Sequence, residues 1–165
     1  MIGVREMRDG SSRRASTVPL GRSIKMERAH VREEVDAPID MVWKVIRDFA
    51  DVSAWASGRV VHIEGAGVGM VRHIEGQGGR FVERCESHDD AAHTFSYRLL
   101  ESPIPVTNYV GTVGLTTAGP RRCAIDWSAD FEPLDPASAT ALRTAIENVF
   151  RGSFIAKLRD RLTRS

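Results

Sequence analysis

The chain has 165 residues, 42% hydrophobic and 27% charged, which suits one globular domain with a real core and excludes a chain too polar to fold. Its formal net charge of +1 points to no polyanionic partner, and the charge is uneven: residues 1–26 hold six Lys/Arg against two Asp/Glu, +4, while the remaining 17 basic and 20 acidic residues give −3. A weakly acidic body argues against nucleic-acid binding. No run approaches the ~18 apolar residues of a membrane span and no secretory h-region opens the chain, so a cytoplasmic protein without stable membrane insertion is expected.

Residues 1–26 show neither helical nor strand period and mix Arg, Ser, Gly and Pro. They read as a disordered or loosely docked basic tail ahead of a single domain over residues 27–165. Within the tail, Arg13-Arg14-Ala15-Ser16 has the form of a basic-directed phosphorylation site, a pattern common by chance, and Met26 is a candidate start of the natural chain.

The first strand runs from Arg28 to Val35, with Ala29, Val31, Glu33 and Val35 on one face. Asp36-Ala-Pro-Ile-Asp40 then opens a short helix whose apolar positions are Met41, Val42, Val45, Ile46 and Phe49, and a second short helical turn follows over Asp51–Trp55. Six strands come next: Arg59–Glu64, Gly69–Glu75, Arg80–Ser87, His93–Leu100, Val106–Thr117 and Arg122–Phe131, each bounded by Gly, Pro or Asp-Asp turn signals. Gly65-x-Gly67-x-Gly69 invites a dinucleotide-binding reading, but it joins strand to strand, and that loop must run from a strand into a helix.

Pro136 opens the last element, with Asp135 as its cap. Leu142, Ala145, Ile146, Val149, Ser153 and Ala156 fall on one face of a helix reaching Leu162, about 40 Å at 1.5 Å per residue. Phe150, Phe154 and Leu158 broaden this stripe, and only a sheet offers a partner that wide. The predicted fold is therefore α+β, a seven-stranded curved antiparallel sheet wrapped around a long C-terminal helix, with two short helices after strand 1. Small residues in the stripe suggest that the concave face is not filled.

Val35-Asp-Ala-Pro-Ile-Asp-Met-Val-Trp43, then Asp48-Phe49 and Trp55, resembles the opening of the START/Bet v 1-like (SRPBCC) superfamily in its polyketide cyclase/dehydrase and lipid-transport branch. The resemblance covers about residues 27–163 and implies a helix-grip fold with a cavity between sheet and helix. Aromatase/cyclases, carriers of hydrophobic ligands, quinone-binding proteins and plant hormone receptors share that fold, so it does not fix an activity. Glu83-Arg84 with Asp89-Asp90, and Thr107-Asn108-Tyr109, are similar to segments of the hormone receptors. By that similarity Arg59 stands where those receptors place a cavity lysine, and Glu83 and Tyr109 line the cavity. The loops that close over the ligand in the receptors differ here, reading Gly76-Gln-Gly-Gly79 and Ser102-Pro-Ile-Pro105, so hormone sensing does not carry over.

Alternation alone gives nearly the same lining. Trp127 belongs to the apolar face of the last strand, Tyr109 and Val113 to that of the strand before, and Phe95 and Tyr97 to that before it. Gly111 leaves room for something on the same face. A period of two turns Arg59, Arg72, Ile74, Glu83, Cys85 and Glu33 inward with them. Ile146, Val149 and Ser153 face them from the helix. Glu83, Arg72 and Tyr109 are the candidate catalytic group. In a hairpin Arg72 and Glu83 fall close enough to pair, either as a structural ion pair or, with Arg59, as the polar end of an apolar pocket. Tyr97 and Tyr109 could donate hydrogen bonds to a carbonyl, or simply pack. Cys85 and Cys123 read as small buried hydrophobes. Of the five histidines only His93 has inward parity, and spacing suggests neither a metal site nor a cofactor. The expected partner is a hydrophobic small molecule, bound for cyclisation or dehydration by acid/base catalysis, or merely carried or sensed. An interaction module with a vestigial cavity is the alternative, and Phe154, Leu158 and Leu162 are a possible homodimer contact.

Overall fold

The computed structural model describes residues 25–164. Apart from Lys25 and Met26, the tail and its Arg13–Ser16 motif lie outside the described residues. Strand β1 (Glu27–Val35) leads into helix α1 (Ile39–Ile46); β2 (Arg59–Glu64), β3 (Val71–Gly76), β4 (Gly79–Asp89), β5 (Thr94–Glu101), β6 (Val106–Gly119) and β7 (Arg122–Pro133) follow. The seven strands form one antiparallel sheet in the order β1-β7-β6-β5-β4-β3-β2. The apolar alternation of β7, next to edge strand β1, is decisive here: Cys123, Ile125, Trp127, Ala129 and Phe131 are all fully buried.

Helix α1 buries Val42, Trp43 and Ile46. It is held to the β4–β5 turn by Asp90, which accepts from Trp43 Nε1 at 2.8 Å and pairs with Arg47 at 3.2 Å. The expected second helix is a turn. Trp55 N and Ala56 N both donate to the Val52 carbonyl, and the backbone then leaves for β2.

The C-terminal rod is not uniform. A 3-10 turn (Pro136–Ser138), capped by Asp135 Oδ1 accepting from Ala137 N at 3.0 Å, precedes α2 (Ala139–Val149). A π-helical turn (Phe150–Ile155) then widens the helix before α3 (Ala156–Thr163). The buried line therefore runs Ile146, Phe150, Ile155, Leu158, with a five-residue step that regular 3.6 spacing does not anticipate. Val149 and Ser153 stand at the stripe's edge, exposed. The proposed dimer contact is displaced too. Leu158 is fully buried, Phe154 packs on Trp55 and Trp127, and Leu162 is half-buried against the core.

Charges fix the rod to the sheet edge. Glu33 accepts from Arg151 Nε at 3.0 Å and Arg159 Nη2 at 3.1 Å, and Arg159 also donates to the Glu34 carbonyl at 2.8 Å. Glu33 was expected to line the cavity. It sits on edge strand β1, where an inward side chain meets the helix instead of the hollow. The hydrogen bond from Arg159, then that from Arg151, outweighs desolvation and lowers its pKa below the ordinary value. Lys157 Nζ donates to the Ala56 carbonyl at the other side of the helix.

A carboxylate with a depressed folded-state pKa adds stability above its unfolded value, about 4.3, and loses it as pH falls through the folded value. Urea unfolding at neutral pH and below pH 4 should therefore show Glu33→Gln less stable than wild type at neutral pH, with the difference shrinking in acid. A difference that is constant with pH would contradict this pairing.

Candidate functional site

Between the concave sheet face and the C-terminal helix lies a cavity of about 560 Å³, a size typical for a small-molecule site. Its deep wall is made by Trp55, Ile74, Tyr97, Tyr109, Ile146 and Phe150, with Glu83 as the charged residue in the lining. Exposed residues frame the mouth: Ala145, Val149 and Ser153 from the helix, and Gly76, Gly78, Gly79 and Pro103 from two loops. Those loops touch. Gly79 has φ +108°, open to glycine, and a Cβ there would come within 3.2 Å of Pro103 Cγ.

Arg72 and Glu83 sit directly opposite on β3 and β4. Arg72 is wholly buried; its Nε lies 2.8 Å and its Nη2 2.6 Å from Glu83 Oε2, and Nη1 donates to the Phe49 carbonyl at 2.8 Å. The guanidinium carbon lies 3.8 Å from the centroid of the Phe49 ring, 5.4 Å from that of Trp55 and 5.8 Å from that of Tyr97. Arg72 is thus behind Glu83, not in the lining. Both of its contacts fall on Oε2, and among the described residues Oε1 accepts no hydrogen bond. Trp55 Nε1, in the same wall, is buried with no partner among the described residues.

Two phenols flank this carboxylate. Trp127 Nε1 donates to the Tyr97 hydroxyl at 3.2 Å, and the Tyr97 and Tyr109 rings lie 6.4 Å apart. Burial pushes both phenols well above their ordinary pKa, reinforced by the negative charge of Glu83. They remain neutral hydrogen-bond donors at any physiological pH. Tyr109 is aimed by a bulge: Asn108 adopts φ +51° and the β6–β7 register slips between Thr107 and Val110, so Val106 and Tyr109, three apart, both face inward. What Gly111 makes room for is the Tyr97 ring, whose Cζ would lie 2.3 Å from a Cβ at that position.

Of the residues singled out from sequence, the structure brings Glu83, Tyr97, Tyr109, Ile74, Ile146, Val149 and Ser153 to the cavity. Arg59 is corrected: it is exposed opposite Glu75, because an extra residue at Val61 breaks the β2–β3 register and inverts the face of Arg59 and Val60 relative to Ile63. Trp127 is fully buried beneath Trp55, Phe150 and Phe154, whose rings fill the space between it and the hollow. Phe95 packs among Trp43, Phe49 and Tyr97, and Val113 lies in the fully buried core. Cys85 is buried on the α1 side, beside a separate hollow lined by Arg47, Phe49 and Met70. All four share the inward parity but lie away from the cavity, Trp127 because the Phe150 and Phe154 rings cover it and the other three because the groove is filled beneath α1. His93, of inward parity, packs edge-on to Trp43 near Asp40. Sequence reasoning missed the lining roles of Trp55, Phe81 and Ile104; for Trp55 the signal was its place in the turn directly before β2.

Gly111→Ala tests the packing of the paired phenols. It should cost about 1–3 kcal/mol, the usual cost of overpacking, and move the Tyr97 ring off Trp127 Nε1, seen as a shifted indole N–H resonance. A fully stable variant with an unchanged resonance would contradict the geometry.

Comparison with known proteins follows the geometry. The fold is similar to an uncharacterised protein from Bacillus thuringiensis (21% identity, TM-score 0.69, covering 81% of this chain and 96% of the other). It is also similar to norcoclaurine synthase from Thalictrum flavum in complex with dopamine and hydroxybenzaldehyde (20%, TM-score 0.65, 87% and 91%). A third likeness is to the ZhuI aromatase/cyclase from Streptomyces sp. R1128 (24%, TM-score 0.63, 85% and 93%). At these identities the likeness carries the fold. No curated protein matches the sequence. No helix among the described residues is long and apolar enough to cross a membrane. The family model described as polyketide cyclase / dehydrase and lipid transport matches residues 26–163, and with a helix-grip fold around an apolar cavity the chain belongs to that family.

Proposed function

We propose that the cavity binds an apolar small molecule, a polyketide, aromatic, isoprenoid or lipid in kind, by one polar group set against Glu83 and Tyr109. The observation that carries this is Glu83 Oε1, a carboxylate oxygen without a hydrogen bond among the described residues, in an otherwise apolar hollow. Such an acceptor is costly unless a ligand hydroxyl or a water completes it. The family supports a hydrophobic ligand, and the ~560 Å³ volume sets its size.

Within this reading the chemistry is cyclisation followed by loss of water. Glu83 takes a proton from the carbon beside a ligand carbonyl, and the Tyr109 hydroxyl donates to the enolate oxygen as a neutral donor. The carbanion attacks a second carbonyl carbon held near by the fold of the cavity. The glutamic acid returns its proton to the resulting alkoxide, making a hydroxyl. Glu83 then removes the second hydrogen of the attacking carbon and delivers it to that hydroxyl, which leaves as water as the carbon–carbon double bond forms. Arg72, one of the candidate catalytic group, holds Glu83 from behind. A carrier would use the same cavity without turnover.

Denaturing extraction and mass spectrometry of protein purified from its native cells should release an apolar compound bearing a hydroxyl or carbonyl. Glu83→Gln should still co-purify with that compound but lose its conversion by orders of magnitude. Retained conversion excludes Glu83 as the base. If the wild type releases the compound unconverted and Glu83→Gln costs only modest affinity, the protein is a carrier. Tyr109→Phe, which keeps the ring, should weaken binding by roughly tenfold or less, the scale of one hydrogen bond. No compound from wild type, with Tyr109→Phe indistinguishable from it, would contradict the site.

A further inference from the structure

On the outer face of the sheet, remote in function from the cavity, His62 and His73 face each other across β2 and β3. Their rings lie 5.2 Å apart at 63°. Glu64, two residues along β2, points at both: its Oε1 lies 2.8 Å from His73 Nε2 and 3.7 Å from His62 Nε2. The three candidate ligand atoms lie within 4.8 Å of one another. His62 opposite His73 continues the regular register of Ile63 with Arg72 and Glu64 with Val71, beyond the extra residue at Val61. The three side chains come from two neighbouring strands, so their Cα positions are fixed by the ladder before any ion arrives.

We propose that His62, Glu64 and His73 form a binding site for a borderline divalent transition-metal ion, Zn²⁺ in the first instance, clipping edge strand β2 to β3. Two imidazole nitrogens and one carboxylate oxygen are the donor set that suits Zn²⁺, with a fourth position left for water. Ligand distances of about 2.0–2.2 Å to a common centre need the donor atoms about 3.3 Å apart. The Glu64 oxygen therefore backs away from His73 by a few tenths of an ångström as the ion enters, within reach of an exposed side chain. Arg80 Nη2 lies 3.1 Å from His73 Nδ1. Ligation through Nε2 puts the ring proton on Nδ1, so the exposed Arg80 side chain swings out to solvent. Edge strand β2 has β3 as its ladder partner, and the ion would hold it from the side-chain direction as well.

Untagged, chelator-treated protein is titrated with Zn²⁺ by calorimetry and followed by thermal unfolding. One ion per chain should bind and raise the unfolding midpoint. His62→Ala and His73→Ala should each weaken binding at least tenfold and abolish the thermal shift; Glu64→Gln should weaken it in the same direction. All three sites are on the outer face, so the variants fold. His30→Ala on β1 and His93→Ala in the β4–β5 turn, both away from the three residues, should bind as wild type. Absence of binding at about millimolar Zn²⁺, or equal binding in the His62→Ala and His73→Ala variants, would overturn the site.

Discussion

A guanidinium with no exposed surface sets the constraint on which the rest of this structure depends. Taking Arg72 out of water is tolerable only because Glu83, the Phe49 carbonyl and the faces of three aromatic rings surround it. Losing one partner of such a pair typically costs about 3–5 kcal/mol, a large part of a domain's stability. The pair therefore fixes three things at once: the β3–β4 register, the position of the chain after α1, and the orientation of Glu83. Because Oε2 carries both guanidinium contacts, the other carboxylate oxygen is held where the cavity begins. A structural ion pair and the polar end of a pocket are here one arrangement.

The hollow survives because the helix does not fill it. Continued as a regular α-helix, the rod would turn Ser153, one turn on from Val149 and Phe150, toward the sheet. The π-helical turn at Phe150–Ile155 shifts the phase of the residues after Val149, so that Ile155 and not Ser153 follows Phe150 inward. Phe150 and Phe154 stack with Trp127 and close one end of the groove, while beneath α1 the side chains of Phe95 and Phe49 close another. The space left is bordered by a carboxylate and two neutral phenols. Its mouth lies under two short loops, one rich in glycine and one in proline, that already meet at Gly79 and Pro103.

Much of this was legible from the residues. Alternation in β5, β6 and β7 marks the inner face correctly, and a hairpin of six-residue reach puts Arg72 against Glu83 without any coordinates. The Asp-Ala-Pro opening and the proline-started final helix point to the helix-grip fold. What alternation does not reveal is where it is interrupted. One inserted residue at Val61 sends Arg59 to solvent, and the His62–His73 pair, which no spacing along the chain suggests, comes from the pairing of β2 with β3. Alternation also says that a residue faces inward without saying what it meets there. Trp127, Phe95 and Val113 all point inward, yet they meet other side chains, because curvature and the turn at Trp55 decide which part of the inner face stays uncovered. Glu33 fails for a related reason: at a sheet edge, inward means toward the arginines of the helix.

The account stands on an open, apolar hollow whose mouth runs past Val149. The most direct measurement is titration with the apolar fluorophore N-phenyl-1-naphthylamine of wild type and of Val149→Trp, an exposed rim position where the indole would obstruct the mouth. The account predicts saturable binding of one probe per chain with a blue-shifted emission in wild type, and its loss in a folded Val149→Trp. No saturable binding to wild type, or equal binding by the two, would show that the space between sheet and helix is not a ligand site.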